Sequence, residues 1–189
     1  MVFRQMEKAE VRRWYHEELT EAFVESERKP LCDIMNLMDG GRYELWGLFE
    51  GAQMRGYAAI LKGPDIPLVL LDYLGVNVFY RNGGLGARIL TLLKAQGRPV
   101  VTEAELPVCG DDAGNPIRLR RIAFYERNGF VPAYEMATCG LRWQALLYAE
   151  NRDSMEDVMA WHRALYGPQR TDVKVPIAPG ETPQKPYWM

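Results

Sequence analysis

One stretch of the chain constrains the fold more than any other, because a strand-length apolar run leads into a glycine-rich turn. The run covers residues 68–76 and the turn covers residues 81–87. Apolar residues then recur at helical spacing, at Leu85, Ile89 and Leu93. A strand, a glycine turn and a helix in this order indicate an α/β fold. The unpaired N–H groups of the first helical turn favour a bulky anion such as a phosphate.

The spacing of the glycines separates three kinds of phosphate-binding turn. A P-loop needs Lys-Ser or Lys-Thr after the glycines, whereas Ala87 and Arg88 stand there. A dinucleotide fingerprint needs a third glycine where Ile89 is found. The pattern that fits is Arg-x-x-Gly-x-Gly, which runs from Arg81 to Gly86. An ordinary glycine-rich turn between a strand and a helix is the alternative.

Size, charge and cysteine usage exclude several classes of protein. The chain has 189 residues, a formal net charge of -2, three cysteines and two histidines. This charge gives no electrostatic case for a nucleic-acid or membrane partner, and no apolar run reaches membrane-spanning length. Cysteines without C-x-x-C spacing predict free thiols in a reducing cytoplasm, and two histidines argue against a metal site. We therefore expect a cytoplasmic protein with no metal, nucleic-acid or membrane partner.

Apolar periodicity and turn residues predict the other elements of a mixed α/β domain. The predicted strands cover residues 1–7, 43–49, 54–61, 68–76, 99–106, 130–135 and 141–148. The predicted helices cover residues 11–23, 30–38, 85–93, 117–128 and 154–167. We expect one domain over residues 1–189, with a core at about 3–148, a C-terminal helix at about 154–167 and a tail at 168–189. His162 is predicted to be a packed residue on the apolar face of the last helix.

A second motif follows one strand and one helix after the glycine turn. It reads Ile-Ala-Phe-Tyr-Glu-Arg-Asn-Gly-Phe over residues 122–130 and places Tyr125 near the end of a helix. Together with Leu-Gly-Val at residues 74–76 and the turn that begins at Arg81, it resembles the GCN5-related N-acetyltransferase (GNAT) family. The resemblance covers about residues 3–148. It implies a mixed β-sheet, splayed at its centre and flanked by helices, with acetyl-CoA as co-substrate; the last helix and the proline-rich tail lie outside it.

The resemblance also implies which residues hold the cofactor. The turn would bind the CoA pyrophosphate, and a backbone N–H near the end of the preceding strand would hold the oxyanion. The residues that match are Leu74, Gly75, Val76, Arg81, Asn82, Gly83, Gly84, Gly86 and Ala87. Gly75 would in addition let the pantetheine arm lie close. One departure concerns Arg118, which stands where many relatives have an asparagine, and it leaves the contacts from this helix open.

Tyr125 matches the tyrosine that the family places beside the CoA sulfur. Its hydroxyl, with an ordinary pKa near ~10, can give a proton to the departing thiolate. The resemblance therefore implies a general acid at Tyr125. An aromatic side chain packed under the following Gly-Phe turn is the alternative.

Three carboxylates are candidates for the general base or for binding the amine. Glu103 and Glu105 alternate with Ala104, so they share one face of a strand, and two adjacent carboxylates favour proton uptake by one of them. Some relatives carry a catalytic glutamate near Glu103 and some a histidine near Asp72. We assign the base to Glu103 and the binding of a cationic amine to Glu105 and Asp72. A solvent-facing pair of glutamates is the alternative.

These interpretations together predict an acetyl-CoA-dependent N-acetyltransferase. The acetyl group would move to a primary amine by direct attack in a ternary complex. The acceptor would be a small-molecule amine or a peptide amine, and a homodimer is left open as the assembly. A catalytically inactive CoA-binding or sensing protein and an O-acyl transferase are the alternatives.

Overall fold

A computed structural model of the chain describes residues 1–151 and 153–189, and its secondary structure is mixed α/β. The strands in these ranges are β1 (Val2–Gln5), β2 (Tyr43–Glu50), β3 (Gln53–Leu61), β4 (Val69–Val76), β5 (Val100–Glu105), β6 (Val131–Thr138) and β7 (Leu141–Tyr148). The helices are α1 (Lys8–Trp14), α2 (Thr20–Ala22), α3 (Leu31–Asp39), α4 (Leu85–Lys94), α5 (Asn115–Arg127) and α6 (Met155–Tyr166). A π-helical turn (Tyr15–Leu19) joins α1 to α2.

The strands form a seven-stranded sheet in the order β1-β2-β3-β4-β5-β7-β6. β2 pairs antiparallel with β1 and with β3, and β7 pairs antiparallel with β5 and with β6. Helices flank these strands, so the prediction of a mixed α/β sheet with an additional C-terminal helix is confirmed. No helix in the described part of the chain combines the length and the apolar character needed to span a membrane.

The predicted elements are present, and their boundaries differ by a few residues. The largest difference lies in the first predicted helix, which a π-helical turn interrupts and which ends at Ala22. Pro30 precedes α3 as its N-cap residue instead of opening the helix. α5 begins at Asn115, two residues before the predicted start, because Pro116 is compatible with the first turn of a helix. Apolar spacing does not report such details.

The chain divides into two compact units, of which the first combines residues 1–64 with residues 71–97. In this unit α4 packs on β3 and buries Ile89, Leu90 and Leu93. α1 contributes Val11 and Trp14 to the same core. The apolar stripes predicted from the sequence therefore face the core, and this burial is the main favourable contribution to folding.

The second unit combines residues 65–70 with residues 98–189. Ser154 begins α6 by accepting a hydrogen bond from the Asp157 N–H over 3.1 Å, and Gly167 ends the helix at a φ of 79°. The buried side chains of α6 are Val158, His162, Leu165 and Tyr166. α6 therefore presents two polar side chains, an imidazole and a phenol, to the interior of this unit.

A buried ion pair within the tail, Arg170 with Asp172, is hydrogen-bonded to Thr138 on β6. Arg170 contacts Asp172 through Nε at 2.8 Å, and its Nη2 donates to the Thr138 hydroxyl at 2.6 Å. The guanidinium group lies over the ring of Trp188 at 4.5 Å. Lys174 forms an antiparallel bridge with Ala137 on β6. The proline-rich tail thus follows the body of the protein without regular secondary structure.

Candidate active site

The glycine turn connects β4 to α4 in the first unit and leaves its backbone accessible. Residues 81–84 are exposed, and Asn82 and Gly84 have left-handed φ angles of 64° and 75°. The Arg81 Nε donates a hydrogen bond to the carbonyl of Val76, the last residue of β4, over 3.2 Å. This bond holds the turn against the end of the strand. α4 begins directly after Gly84, so the first N–H groups of a ten-residue helix meet the turn. This combination of backbone donors and a nearby cation suits a phosphate.

The end of β4 is closely packed on one side. A Cβ atom at Gly75 would lie 2.2 Å from the Tyr57 ring, so only glycine fits opposite this side chain. The Tyr57 side chain is buried, and that burial together with the charge of Glu18 raises the pKa of Tyr57 above its ordinary value. Leu74, Gly75 and Val76 are themselves half-buried. Packing is therefore a reason for Gly75 that the sequence pattern did not indicate.

Asp72 lies on β4 in a buried polar cluster. Its Oδ1 contacts the Lys29 Nζ at 2.6 Å, and its Oδ2 accepts a hydrogen bond from the Tyr43 hydroxyl at 2.6 Å. The side chains of Lys29 and Asp72 are only 10% and 7% exposed. Both carboxylate oxygens thus have protein partners, and the charge of Asp72 is balanced by a lysine.

Tyr125 lies in the last turns of α5, in the second unit. Its ring packs edge-on against Phe124 and Phe130, at centroid distances of 5.3 Å and 5.6 Å. Burial of the hydroxyl raises the pKa of Tyr125, although a hydrogen bond with the Thr102 side chain acts in the opposite direction. Tyr125 therefore keeps its proton at neutral pH, as a general acid must.

Glu103 on β5 meets two side chains of α6. The Tyr166 hydroxyl lies 2.7 Å from Oε1 and 2.8 Å from Oε2, so it donates to the carboxylate between its two oxygens. The His162 Nε2 lies 3.0 Å from Oε1. The Glu103 side chain is 12% exposed and His162 is fully buried. This acidic group is therefore largely enclosed by the C-terminal helix.

A second tyrosine extends the same cluster. The Tyr134 hydroxyl on β6 lies 2.8 Å from the Nδ1 of His162. Burial, and then the nearby charge of Glu103, raise the pKa of Tyr134 above its ordinary value, so the hydroxyl keeps its proton. Residues from β5, β6 and α6 thus form one buried cluster. We call Glu103, Tyr134, His162 and Tyr166 the Glu103 cluster.

Glu105, two residues further along β5, has different partners. Its Oε1 lies 2.7 Å from Nη2 of Arg118, whose Nη1 contacts Asp111 at 2.5 Å. The Arg118 bond and the Gly114 N–H lower the pKa of Asp111. Arg118, the residue that departs from the GNAT pattern, thus binds two carboxylates of its own unit.

The structure therefore separates residues that the sequence grouped together. Glu103 and Glu105 share a strand, yet one joins α6 and the other joins α5. The partners that sequence reasoning missed are Lys29, Tyr43, Tyr134, His162 and Tyr166. His162 and Tyr166 stand four residues apart on one helix face, a signal that was visible, but nothing in the sequence pointed to Glu103 as their partner. Within the described ranges, no cluster of three or more His, Cys, Asp or Glu side chains is suited to hold a metal ion.

Comparison with known proteins finds an acetyltransferase among the curated relatives and GNAT-family acetyltransferases among the solved structures. No protein-family model matches the chain. A curated protein of Bacillus subtilis strain 168, named "Putative acetyltransferase YjbC", is 29% identical over 148 residues. The match covers 78% of this chain and 69% of that protein.

Solved structures share the fold. A structure described as a "Putative acetyltransferase from GNAT family", from Bacteroides thetaiotaomicron, has a TM-score of 0.68 and 24% identity, covering 86% of this chain and 95% of that one. The acetyltransferase yncA of Salmonella typhimurium, described as putative and solved with acetyl-CoA, has a TM-score of 0.56 and 18% identity, covering 82% of this chain and 96% of that one. These similarities extend through most of the two units described above.

Proposed function

We propose that this chain is a member of the GCN5-related N-acetyltransferase (GNAT) family and moves an acetyl group from acetyl-CoA to a primary amine. The amine attacks the thioester directly in a ternary complex. The observation that carries the proposal is the turn from Arg81 to Ala87, where exposed backbone meets the start of a ten-residue helix. The acetyl-CoA in the similar yncA structure supports the same co-substrate.

The turn would hold the pyrophosphate of CoA. Gly84 lies in the left-handed region, where an L side chain is strained. Among the described residues, no atom beyond Gly84 and its two chain neighbours lies within 4 Å of a Cβ placed there. The first N–H groups of α4 and the Arg81 side chain supply the donors. Bound there, acetyl-CoA supplies the thioester carbonyl that the amine attacks. A backbone N–H near Leu74 to Val76 would stabilise the oxyanion.

Two proton transfers complete the reaction. The attacking nitrogen forms a bond to the carbonyl carbon and gives its proton, directly or through water, to the Glu103 carboxylate. The carbon–sulfur bond then breaks, and the sulfur keeps the electron pair. Tyr125 gives its hydroxyl proton to that sulfur and regains a proton from water, while Glu103 releases its proton to water, so the products are an amide and free CoA. The raised pKa of Tyr125 is consistent with a proton donor rather than a base.

Asp72 and Glu105 take a lesser part in this proposal. Each is paired with a cation of its own unit, Lys29 and Arg118 respectively, and Arg118 also binds Asp111, so neither carboxylate lacks a cationic partner. We assign them to shaping the electrostatic surroundings of the amine. Glu103, which contacts one phenol (Tyr166) and one imidazole (His162) and no cationic Lys or Arg in the Glu103 cluster, remains the assigned base.

A titration and a turnover assay test the proposal together. We expect calorimetry to show acetyl-CoA binding and a thiol-release assay to show turnover with tyramine, spermidine or a peptide with a free N-terminal alanine. Binding without turnover would favour the inactive CoA-binding protein. Turnover with N-acetylserine amide, which offers a hydroxyl and no amine, would favour O-acyl transfer. Absence of acetyl-CoA binding would contradict every version of the proposal.

A further inference from the structure

We propose that the C-terminal helix α6 belongs to the proton-transfer machinery, because His162 and Tyr166 position the carboxylate of Glu103. This inference rests on the proposed function, in which Glu103 is the base. It goes beyond that function, since α6 lies outside residues 3–148, whose sequence motifs carry the resemblance to the GNAT family. Glu103 is the catalytic residue here, and the two α6 side chains are positioning residues.

The first observation is the symmetry of the Tyr166 contact. Its oxygen lies 2.7 Å and 2.8 Å from the two oxygens of Glu103, so one hydroxyl proton is shared across the carboxylate. Rotation of the carboxylate would lengthen one of these two contacts. The ring of Tyr166 is buried, and the Arg170 guanidinium lies 5.0 Å from its centroid. The Tyr166 hydroxyl therefore favours one orientation of the Glu103 carboxylate.

The second observation is the buried imidazole. The His162 Nε2 lies 3.0 Å from Oε1 of Glu103, but it is not aligned for a hydrogen bond with any described residue, so this contact is electrostatic. A proton on Nε2 is favourable beside a carboxylate, whereas a lone pair there would be repelled. Nδ1 is then the acceptor for the Tyr134 hydroxyl at 2.8 Å. Tyr134 thus selects the tautomer that directs an N–H toward Glu103.

The third observation is the charge around the cluster. Opposite Glu103 in the β5–β7 register stands Ala145, which carries no charge. Glu105, the next acidic residue of β5, is paired with Arg118. Arg170 contacts the Tyr166 ring and is bound to Asp172. The ionisable side chains in contact with Glu103 are therefore Tyr166 and His162, with Tyr134 behind the imidazole.

These contacts assign the steps of proton transfer. While Glu103 is ionised, the Tyr166 O–H and the His162 Nε2–H both favour the charged carboxylate and fix its orientation. When the amine N–H bond breaks, a new O–H bond forms on Glu103, and water then removes that proton. The proton that leaves the amine is not transferred to His162 or Tyr134 at any stage.

The imidazole can be observed directly by nitrogen-15 NMR, because the chain has only two histidines. In a His16→Gln background, the remaining signals belong to His162. We expect the Nε2–H tautomer, with its signals displaced by Glu103→Gln and its tautomer balance changed by Tyr134→Phe. Tyr148→Phe is the matched control, since the Tyr148 hydroxyl donates to Glu150 instead. If the His162 nitrogen-15 signals change in neither Glu103→Gln nor Tyr134→Phe, the proposal is overturned.

Kinetics with the best amine of the panel distinguishes positioning from packing. We expect folded Tyr166→Phe to lose up to about 10²-fold in kcat with an unchanged KM for acetyl-CoA, as for a misplaced catalytic group. The acidic limb of its pH–rate profile should move to higher pH, because the charged carboxylate has lost a donor. His162→Gln, which keeps an N–H near the position of Nε2, should retain more activity than His162→Leu. Tyr148→Phe should behave as the parent.

The possible outcomes distinguish the positioning role of α6 from the proposed N-acetyltransferase function. Parental kcat and pH profile in folded Tyr166→Phe, together with equal rates for His162→Gln and His162→Leu, would overturn the positioning role and leave the N-acetyltransferase intact. A parent that binds acetyl-CoA without turnover on any amine would overturn the proposed function, and the positioning role with it. Circular dichroism of each variant identifies any that fail to fold. If Tyr166→Phe or a His162 variant does not fold, the NMR comparison of folded His16→Gln with its Glu103→Gln and Tyr134→Phe derivatives decides.

Discussion

The glycine turn and the Glu103 cluster are built in opposite ways. The turn at residues 81–87 is local: its donors are backbone groups and one arginine, within one strand–turn–helix unit. The Glu103 cluster is made of side chains from three elements, and Tyr166 stands 63 residues from Glu103 in sequence. A backbone site needs particular φ angles, so its residue types reveal it. A side-chain site needs a tertiary fold, so its members look ordinary until they are brought together.

The largest effect on turnover should come from Glu103→Gln. This change keeps the shape of the side chain and removes its ability to accept a proton. Loss of a general base typically costs about 10²–10⁴-fold in kcat, and KM for acetyl-CoA should stay near that of the parent. Thiol-release kinetics measures both. Glu135→Gln, on the exposed surface of β6, is the control, and equal kcat values for the two variants would remove Glu103 from the chemistry.

Tyr125→Phe should lower kcat less than Glu103→Gln does, by about 10²-fold. The reason is that a thiolate is a good leaving group and can depart without being fully protonated. Burial raises the pKa of Tyr125 above its ordinary value of 10.0, and the acid is lost only as pH rises through that raised pKa. The parent profile should therefore lack a basic limb assigned to Tyr125 below pH 10.0. Tyr148→Phe is the matched control. A kcat within about twofold of the parent would assign Tyr125 to packing.

Substitutions at Gly84 test whether the turn binds the pyrophosphate, because a negative charge there should weaken acetyl-CoA binding. Gly84→Asp and Gly84→Asn both tolerate the left-handed φ of 75° better than other side chains, and they differ chiefly by one negative charge. We expect acetyl-CoA to bind about tenfold more weakly to the aspartate variant than to the asparagine variant, because the charge repels the pyrophosphate. Calorimetry at low salt measures the difference. Equal affinities would place the pyrophosphate elsewhere.

The smallest effect on turnover is expected at Asp72. Asp72→Asn leaves Lys29 without its buried carboxylate, so we expect a loss of about 3 kcal/mol in the free energy of unfolding. Turnover at a temperature where the variant is folded should stay within about twofold of the parent. Denaturant unfolding and thiol release measure the two quantities. A large fall in kcat with unchanged stability would instead identify Asp72 as a candidate for the general base.

The sequence predicted the order of the elements and the geometry of the turn because both depend on local patterns. Gly84 is followed by a helix, and the second motif ends α5 before Gly129, as their residue types require. The sequence did not predict the partners of the three carboxylates. Lys29 stands 43 residues from Asp72, and no local pattern records that pairing. His162 was correctly predicted to be buried, while its contact with Glu103 depends on where α6 packs.

One steady-state thiol-release experiment on Gly84→Asp and Glu103→Gln separates the roles of the turn and the Glu103 cluster. We assign acetyl-CoA binding to the turn and proton transfer to Glu103. We therefore expect Gly84→Asp to raise KM for acetyl-CoA with kcat retained, and Glu103→Gln to lower kcat with KM retained. If both variants change the same parameter, or if both match the parent, the division of labour between the turn and the Glu103 cluster is contradicted.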